Sequence, residues 1–218
     1  MTAAGEPGAW WEALWAAVEA YGFRLNGGFH DKDGTVVVVG HAGPKLWERF
    51  SAEMPAGPDP LDRWTRTVLA PVAARFGAKL LLPNDGPPWR PFQRWAMRAE
   101  AVHPSPLGLL VHPGFGLWHA LRAALVFAER REVPPRAEAP SPCDSCNDRP
   151  CLTACPVGAF DGRTYAADRC AVHVASEAGR DCRERGCRAR RACPVGSEWA
   201  WGDAQQAFHM AAFLAGRG

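Results

Sequence analysis

Eight cysteines, all of them after residue 142 of the 218-residue chain, are the residues best suited to chemistry. Close spacing lets a short loop wrap several thiolates around one metal centre, whereas a cysteine that precedes proline points toward a different centre. Eight thiolates also make two sets of four without remainder, so the pattern predicts two 4Fe-4S clusters of the two-cluster ferredoxin kind. The cysteines form two runs with the same Cys-Pro-Val-Gly ending: Cys143-x2-Cys146-x4-Cys151-x3-Cys155-Pro156 and, after a lone Cys170, Cys182-x4-Cys187-x5-Cys193-Pro194.

Two other uses of the cysteines agree less well with this spacing. Zinc sites with four cysteines usually come as two well separated pairs per ion, and only Cys143-x2-Cys146 is of that kind. A disulfide framework belongs to an oxidising compartment. The N-terminal sequence MTAAGEPGAWWEALW has neither the basic nor the apolar region of a secretory signal. We therefore expect a cytoplasmic protein with reduced cysteines.

From Cys143 to Gly196 the chain resembles the dicluster ferredoxin module of epoxyqueuosine reductase and of corrinoid-dependent reductive dehalogenases. The first run has two extra residues before Cys151 compared with the commonest bacterial spacing, but the ligand order is the same. In those families the last cysteine of each half crosses over to the other cluster. The resemblance therefore implies one cluster on Cys143, Cys146, Cys151 and Cys193, and a second on Cys155, Cys170, Cys182 and Cys187.

Clusters that are fully ligated by cysteine leave no iron open to a substrate, so a second reactive group is expected elsewhere. The candidate segment runs from Leu109 to Arg122 and contains His112-Pro113-x-Phe115-Gly116-x-Trp118. Two strands joined by its glycine-bearing turn would place Phe115, Trp118 and Arg122 near one surface. A hairpin with a core tryptophan is the alternative interpretation of the same pattern.

This segment, followed by the run to Val133-Pro134-Pro135, resembles the cobalamin-processing protein of the human C complementation group. That protein has a flavin-reductase or nitroreductase-like fold, binds cobalamin base-off and removes its upper ligand. The resemblance implies cobalamin-binding residues at Phe115, Gly116, Trp118 and Arg122, and it assigns no catalytic residue. No acidic residue clearly matches the proton donor of epoxyqueuosine reductase; Asp85 is expected to form a turn.

Apolar periodicity and turn residues predict an α+β protein: a small nitroreductase-like or flavin-reductase-like domain followed by a two-cluster ferredoxin-like domain. Helices are predicted near 9–21, 60–76 and 92–101 and after Asp203, and strands at 35–39, 79–82 and 107–111. The expected domains are 1–133, a proline-rich linker at 134–142, a dicluster domain at 143–197, and a C-terminal helix at 198–218 that packs back.

The charge and the apolar runs of the sequence limit the classes of partner that are expected. The formal net charge is +2, with no long basic block, and no apolar run approaches the roughly 20 residues that cross a bilayer. Neither nucleic acid nor membrane is therefore expected; the expected partners are a redox donor protein and a corrinoid or corrinoid protein.

The function predicted is an iron–sulfur oxidoreductase that delivers electrons to a corrinoid and reduces it or removes its upper ligand. A flavin (FMN) reductase and a ferredoxin-type carrier whose front domain binds a partner are the alternatives.

Overall fold

A computed structural model describes residues 8–32 and 34–217. Helix makes up 43% and strand 18%, so the α+β class expected from the sequence is confirmed. The helices are α1 (Ala9–Glu19), α2 (Lys45–Ala52), α3 (Pro60–Phe76), α4 (Phe92–Ala99), α5 (Pro150–Thr153), α6 (Ala167–Ala175), α7 (Arg180–Arg185), α8 (Arg188–Arg191) and α9 (Asp203–Ala215). The strands are β1 (Arg24–Asp31), β2 (Gly34–Ala42), β3 (Lys79–Leu81), β4 (His103–Pro104), β5 (Leu110–Val111) and β6 (His119–Phe127).

Helix α3 has the bounds that its end signals predict. Pro60 occupies the first turn, where a missing N–H is tolerated, and Gly77 ends the helix in the left-handed region with φ of 71°. Strand β1 was not predicted, and β6 overlaps only the end of the two-stranded hairpin expected within 109–122. The strand expected over 107–111 is shorter, with only Leu110 and Val111 in β5. The reason is that residues 105–109 form a turn, in which Ser105 N–H donates to the Leu109 carbonyl.

The chain divides into two compact units. Within the described residues, the first, here called the front unit, comprises 8–101 and 119–139, and the second, the cysteine unit, comprises 102–118 and 140–217. This division differs from the expected boundary at residue 133, because residues 102–118 belong to the cysteine unit. There Leu107, Val111 and Leu117 share a core with Ala189 of α8.

The front unit is built on a four-stranded antiparallel sheet of order β1-β2-β6-β3. The run Val36–Val39 of β2 is buried along its whole length, although successive side chains of a strand point to opposite faces. Both faces of the sheet are therefore covered. On one of them Val36 and Val38 pack with Phe92 and Trp95 of α4.

The cysteine unit has a small apolar core to which the cysteines themselves contribute. Leu107, Val111, Leu117 and Ala189 are buried at its centre, and five cysteines pack against them with Leu152 and Phe160. Helix α9 lies against α6 and α7, so the C-terminal helix packs on this unit. Within the described residues, no helix combines the length and apolar character required to span a bilayer.

Candidate functional site

Four cysteines line the first of two pockets in the cysteine unit. The pocket holds about 430 Å³ of empty space, part of it open to solvent. Leu107, Val111 and Leu117 form an apolar wall, and four prolines add to the lining. The cysteines of this first set are Cys143, Cys146, Cys151 and Cys193.

The other four cysteines line a second pocket of about 290 Å³, again partly open to solvent. Helix α6 supplies Cys170 and α7 supplies Cys182, while Phe160, Val174 and Met210 contribute apolar walls. The cysteines of this second set are Cys155, Cys170, Cys182 and Cys187.

The two Cys-Pro endings exchange places between the pockets. Cys155 is only four residues after Cys151 but lines the second pocket, and Cys193 follows Cys187 by six residues but lines the first. The short helix α8 lies between Cys187 and Cys193 in sequence and packs against α5, with Ala189 fully buried. The structure thus groups the thiols in the two sets that the resemblance implies.

The thiols of each pocket perturb one another's pKa. Burial raises the pKa of Cys143 and Cys151, and the neighbouring Cys193 sulfur raises both further. In the second pocket burial likewise raises the pKa of Cys182 and Cys187, with Cys170 adding to the effect. A cationic centre would oppose these shifts, because a metal keeps the sulfur that coordinates it deprotonated.

Backbone N–H groups point at several of these sulfurs and favour their ionised form. Ala159 N–H donates to Cys155 Sγ at 3.3 Å, and the Ala189 and Arg190 amides lower the pKa of the Cys187 thiol. Such bonds are a feature of iron–sulfur sites, where they tune the reduction potential. Within the described ranges, no three His, Cys, Asp or Glu side chains converge closely enough for a single metal ion.

The segment from His112 to Trp118 lies in the cysteine unit and forms a tight turn. His112 and Gly116 pair across it through N–H···O bonds of 2.8 and 2.9 Å. His112 Nδ1 accepts hydrogen bonds from the amides of Gly114 and Phe115, and its ring stacks on Phe115 at 4.3 Å. The turn is therefore rigidly closed by its own polar groups.

This turn packs directly against the loop that follows Cys193. Gly116 has φ of +55°, and a Cβ placed there would lie 1.8 Å from the Val195 carbonyl oxygen. Gly196 has φ of +72°, and a Cβ there would lie 2.3 Å from the Phe115 carbonyl carbon. Glycine is required at both positions, because any side chain would separate the two backbones.

Trp118 is a core residue. It is 2% exposed, and its ring meets Trp201 at 6.1 Å, while the Arg190 guanidinium lies 5.0 Å from its centroid. Phe115 packs edge-on against Trp199. Phe115 and Trp118 are thus both packed against protein side chains, which differs from the open surface expected for a planar ligand. The core-tryptophan alternative agrees with the structure.

Arg122 lies on β6 in the front unit, whereas Phe115, Gly116 and Trp118 belong to the cysteine unit. The Arg122 side chain is 16% exposed, and its Nη1 lies 3.8 Å from Asp62 Oδ1 of α3. Within the described residues, the buried Arg122 Nε has no hydrogen-bond partner. Burial lowers the pKa of Arg122, an effect that the Asp62 charge opposes.

Asp62 was not singled out in the sequence. Burial raises its pKa, whereas the Arg122 charge lowers it in opposition. Asn84 Nδ2 donates to Asp62 Oδ2 at 3.0 Å, so the carboxyl group is held between an amide and a guanidinium. Asp85 accepts from Leu82 N–H at 2.9 Å and pairs with Arg66, which confirms its role as a turn former.

A second buried carboxyl group was also missed. Glu100 is 7% exposed, accepts a hydrogen bond from Arg24 Nη1 at 2.8 Å and is bonded by the Asn26 amide. Burial raises its pKa despite these two donors. The sequence offers little indication of a special role for Asp62 or Glu100. Each lies near the end of a helix, and neither belongs to a recognisable sequence motif.

Solved structures with a similar fold include two protein types. Epoxyqueuosine reductase (selenomethionine-labelled) superposes with a TM-score of 0.52 at 15% identity, over 90% of this chain and 68% of that one. A crystal structure of epoxyqueuosine reductase with an epoxyqueuosine-modified tRNA-Tyr stem loop superposes with a TM-score of 0.51 at 15% identity. The match covers 88% of this chain and 66% of that one. The chain thus spans about two thirds of the length of these reductases.

The second type is the B12-trafficking protein CblC of C. elegans, a homologue of human MMACHC. It superposes with a TM-score of 0.52 at 14% identity, over 93% of this chain and 95% of that one. No protein-family model and no curated protein matches the chain. Both resemblances expected from the sequence are therefore confirmed, at the level of fold.

Proposed function

We propose that the cysteine unit binds two 4Fe-4S clusters, one on each set of four thiols, and that the protein is an iron–sulfur oxidoreductase. The single observation that carries this proposal is the exchange of Cys155 and Cys193 between the two pockets. Such crossing belongs to two-cluster ferredoxins, in which the cysteine before proline ligates the other cluster. When bound, the clusters would supply single electrons, and an external redox donor protein would renew them.

Because all eight thiols are used, the electrons need an acceptor outside the cysteine unit. We propose a corrinoid bound by the front unit, with reduction or removal of its upper ligand as the reaction. The overall fold shared with a B12-trafficking protein, over nearly the whole of both chains, supports this acceptor. When bound, cobalamin would supply a reducible cobalt whose hold on its upper ligand weakens on reduction.

Arg122 and Asp62 are the front-unit residues proposed to face this ligand. A largely buried guanidinium with an unpartnered Nε is costly unless an acceptor completes its bonds, and an amide or carboxylate oxygen of the ligand would do so. Asp62, whose pKa is raised, would hold its proton nearer neutral pH than an exposed carboxyl group. It is suited to donate that proton to a departing ligand.

One observation favours a plainer function. Phe115, Gly116 and Trp118 are committed to packing inside the cysteine unit, which removes three of the four residues expected to bind a planar cofactor. A ferredoxin-type electron carrier, whose front unit recognises a partner protein, is therefore the second candidate.

The absence of nucleic acid from the expected partners also stays a prediction, although an epoxyqueuosine reductase of the same fold is known with a tRNA stem loop.

The candidates are separated by titrating cobalamin into the anaerobically purified full-length protein. A spectral change to the base-off form, saturating with added protein, would support the corrinoid proposal. No spectral change, combined with extractable flavin in the purified sample, would replace it with the flavin-dependent reductase. If the protein neither binds cobalamin nor contains flavin, the electron-carrier function is the one that is supported.

A further inference from the structure

The second cysteine pocket reaches the surface of the cysteine unit beside α6. Pro156 and Val157, which follow Cys155 in the chain, line this pocket, and α6 contributes His173 to the lining. Pro156 is exposed, whereas Val157 and His173 are half-buried. The same side chains that enclose the four sulfurs are therefore in contact with solvent.

A guanidinium joins α6 to the loop that lines the pocket. Arg169 Nη1 donates to the carbonyls of Val157 and Gly158, at 3.4 and 3.3 Å. Arg169, Val172 and His173 are three and four positions apart, so they share one face of the helix. Together with the loop, these side chains form a continuous surface beside the pocket. This surface, called the α6 face, comprises Pro156, Val157, Arg169, Val172 and His173.

Val172 gives the α6 face an apolar centre. It is 74% exposed, the largest exposed fraction among the large hydrophobic residues in the part of the chain that the structure describes. Single exposed apolar side chains are ordinary on protein surfaces. Val172 differs because an exposed proline of the same face and a cationic side chain one helical turn away accompany it. An apolar centre with a charged rim is the usual composition of a protein interface.

The chain around the second pocket is basic. Residues 155–191, which include α6, α7 and α8, contain eight arginines and five acidic residues, a formal net charge of +3. In the part of the chain that the structure describes, the Arg169 guanidinium bonds only backbone carbonyls. Arg188, which lines the pocket, shares the Asp181 carboxylate with two other arginines. Positive charge near the α6 face is therefore only partly neutralised.

The first pocket has the opposite charge in its cysteine loop. Residues 143–151 contain Asp144, Asp148 and a single arginine, Arg149, a formal net charge of −1. All three side chains are exposed. An acidic partner is therefore attracted to the surroundings of the second pocket and repelled by the loop of the first.

We propose that the α6 face is the docking site of the redox donor, a small one-electron transfer protein with an acidic surface. This inference rests on the proposed function, since it requires a cluster in the second pocket. The reduced donor gives one electron to the oxidised second cluster, so the donor is oxidised and the cluster is reduced, with no bond formed or broken. A small contact area steered by charge is typical of such transient electron-transfer complexes.

Isothermal titration calorimetry of the cluster-loaded full-length protein with an acidic flavodoxin tests the docking site. Both proteins are kept oxidised, so binding is measured without electron transfer. Arg169→Glu reverses an exposed charge on the α6 face, and Arg149→Glu reverses an exposed charge in the first cysteine loop as the matched control. Val172→Glu is the second test variant, because its side chain projects into solvent and can be replaced without unpacking the core.

We expect Arg169→Glu and Val172→Glu each to raise the dissociation constant about tenfold or more, because each places a negative charge against an acidic partner. Arg149→Glu should leave the dissociation constant unchanged. The affinity of the wild type should fall as salt is added, since exposed charges are screened. Iron content is measured for every variant, and if Arg169→Glu fails to retain its clusters, Val172→Glu decides.

Unchanged affinity in Val172→Glu, or a loss of affinity in Arg149→Glu alone, would overturn the docking site. A wild type that holds both clusters but binds no flavodoxin at low salt would overturn it too. So would a wild-type dimer that Val172→Glu converts to a monomer in sedimentation, because a second copy would then occupy the face. These results would leave the cluster proposal intact, whereas a wild type without iron would overturn the cluster proposal itself.

Discussion

Gly116 and Val195 bring two parts of the cysteine unit into direct backbone contact. A Cβ on Gly116 would lie 1.8 Å from the Val195 carbonyl oxygen, far inside any contact that real side chains make. Burial raises the pKa of the Cys193 thiol, and the amide of Val195, two residues further along the chain, opposes this rise. The turn from His112 to Trp118 thus supports the loop of a proposed cluster ligand.

Gly116→Ala should therefore destabilise the cysteine unit and reduce the iron bound by the first set of cysteines. The left-handed backbone costs an alanine about 1–2 kcal/mol, and the clash adds about 1–3 kcal/mol. Gly108→Ala is the control, because Gly108 has φ of +73° but open space where its Cβ would be. Iron content and urea denaturation measure both effects. Equal losses in the two variants would show that the close approach to Val195 does not matter.

The exchange of the two Cys-Pro endings makes a prediction about pairs of variants. Cys193→Ala and Cys143→Ala should abolish the same paramagnetic signal, and Cys155→Ala and Cys170→Ala should abolish the other, because each pair lines one pocket. The comparison uses spectra of reduced, anaerobically loaded proteins. If Cys193→Ala and Cys155→Ala lost the same cluster, the assignment of both sets would be wrong.

Arg122→Met should weaken cobalamin binding about tenfold or more, because it removes a buried hydrogen-bond donor from the proposed site. A tenfold loss of affinity corresponds to about 1.4 kcal/mol of binding free energy. Arg94→Met, at an exposed position of α4, serves as the control for removing a positive charge from the front unit. Spectral titration gives both dissociation constants. Equal affinities for the two variants would exclude Arg122 from the binding site.

Glu100 predicts a pH dependence of stability. Its folded-state pKa is raised above the ordinary value of 4.5, so the folded protein holds this proton more tightly than the unfolded chain. The resulting stabilisation is fully present below pH 4.5 and is lost as the pH rises through the folded-state pKa. The wild type should therefore lose stability relative to Glu100→Gln as the pH rises. Urea denaturation of both proteins between pH 5 and 8 measures this difference. A difference in the free energy of unfolding that does not change with pH would contradict this prediction.

The grouping of the cysteines was anticipated better than the fold around them. The family resemblance implied two sets of four, and the structure places the same two sets around two pockets, whereas metal binding by them stays a prediction. The bounds of α3 followed from its end signals, Pro60 and Gly77. Most of strand β6 was missed because its alternation is masked: Ala123, Ala124 and Leu125 are all fully buried in a sheet covered on both faces.

The position of residues 109–122 could not be predicted from local pattern. The expected hairpin would have placed Trp118 and Arg122 on one surface, but Trp118 packs in the cysteine unit and β6, with Arg122, joins the front sheet. What decides this is long-range packing, namely Trp118 with Trp201 and the pairing of β6 with β2. The ion pair of Asp62 arises in the same way, because its partner Arg122 lies sixty positions further along the chain.

The central claim is that two cysteine sets bind two four-iron clusters, and metal analysis of one anaerobically purified sample tests it most directly. Iron and zinc are quantified together against protein concentration in that sample. Two clusters predict about eight irons per chain and little zinc. Stoichiometric zinc with little iron would contradict the account, because the two sets would then be zinc sites and the protein would have no electrons to deliver.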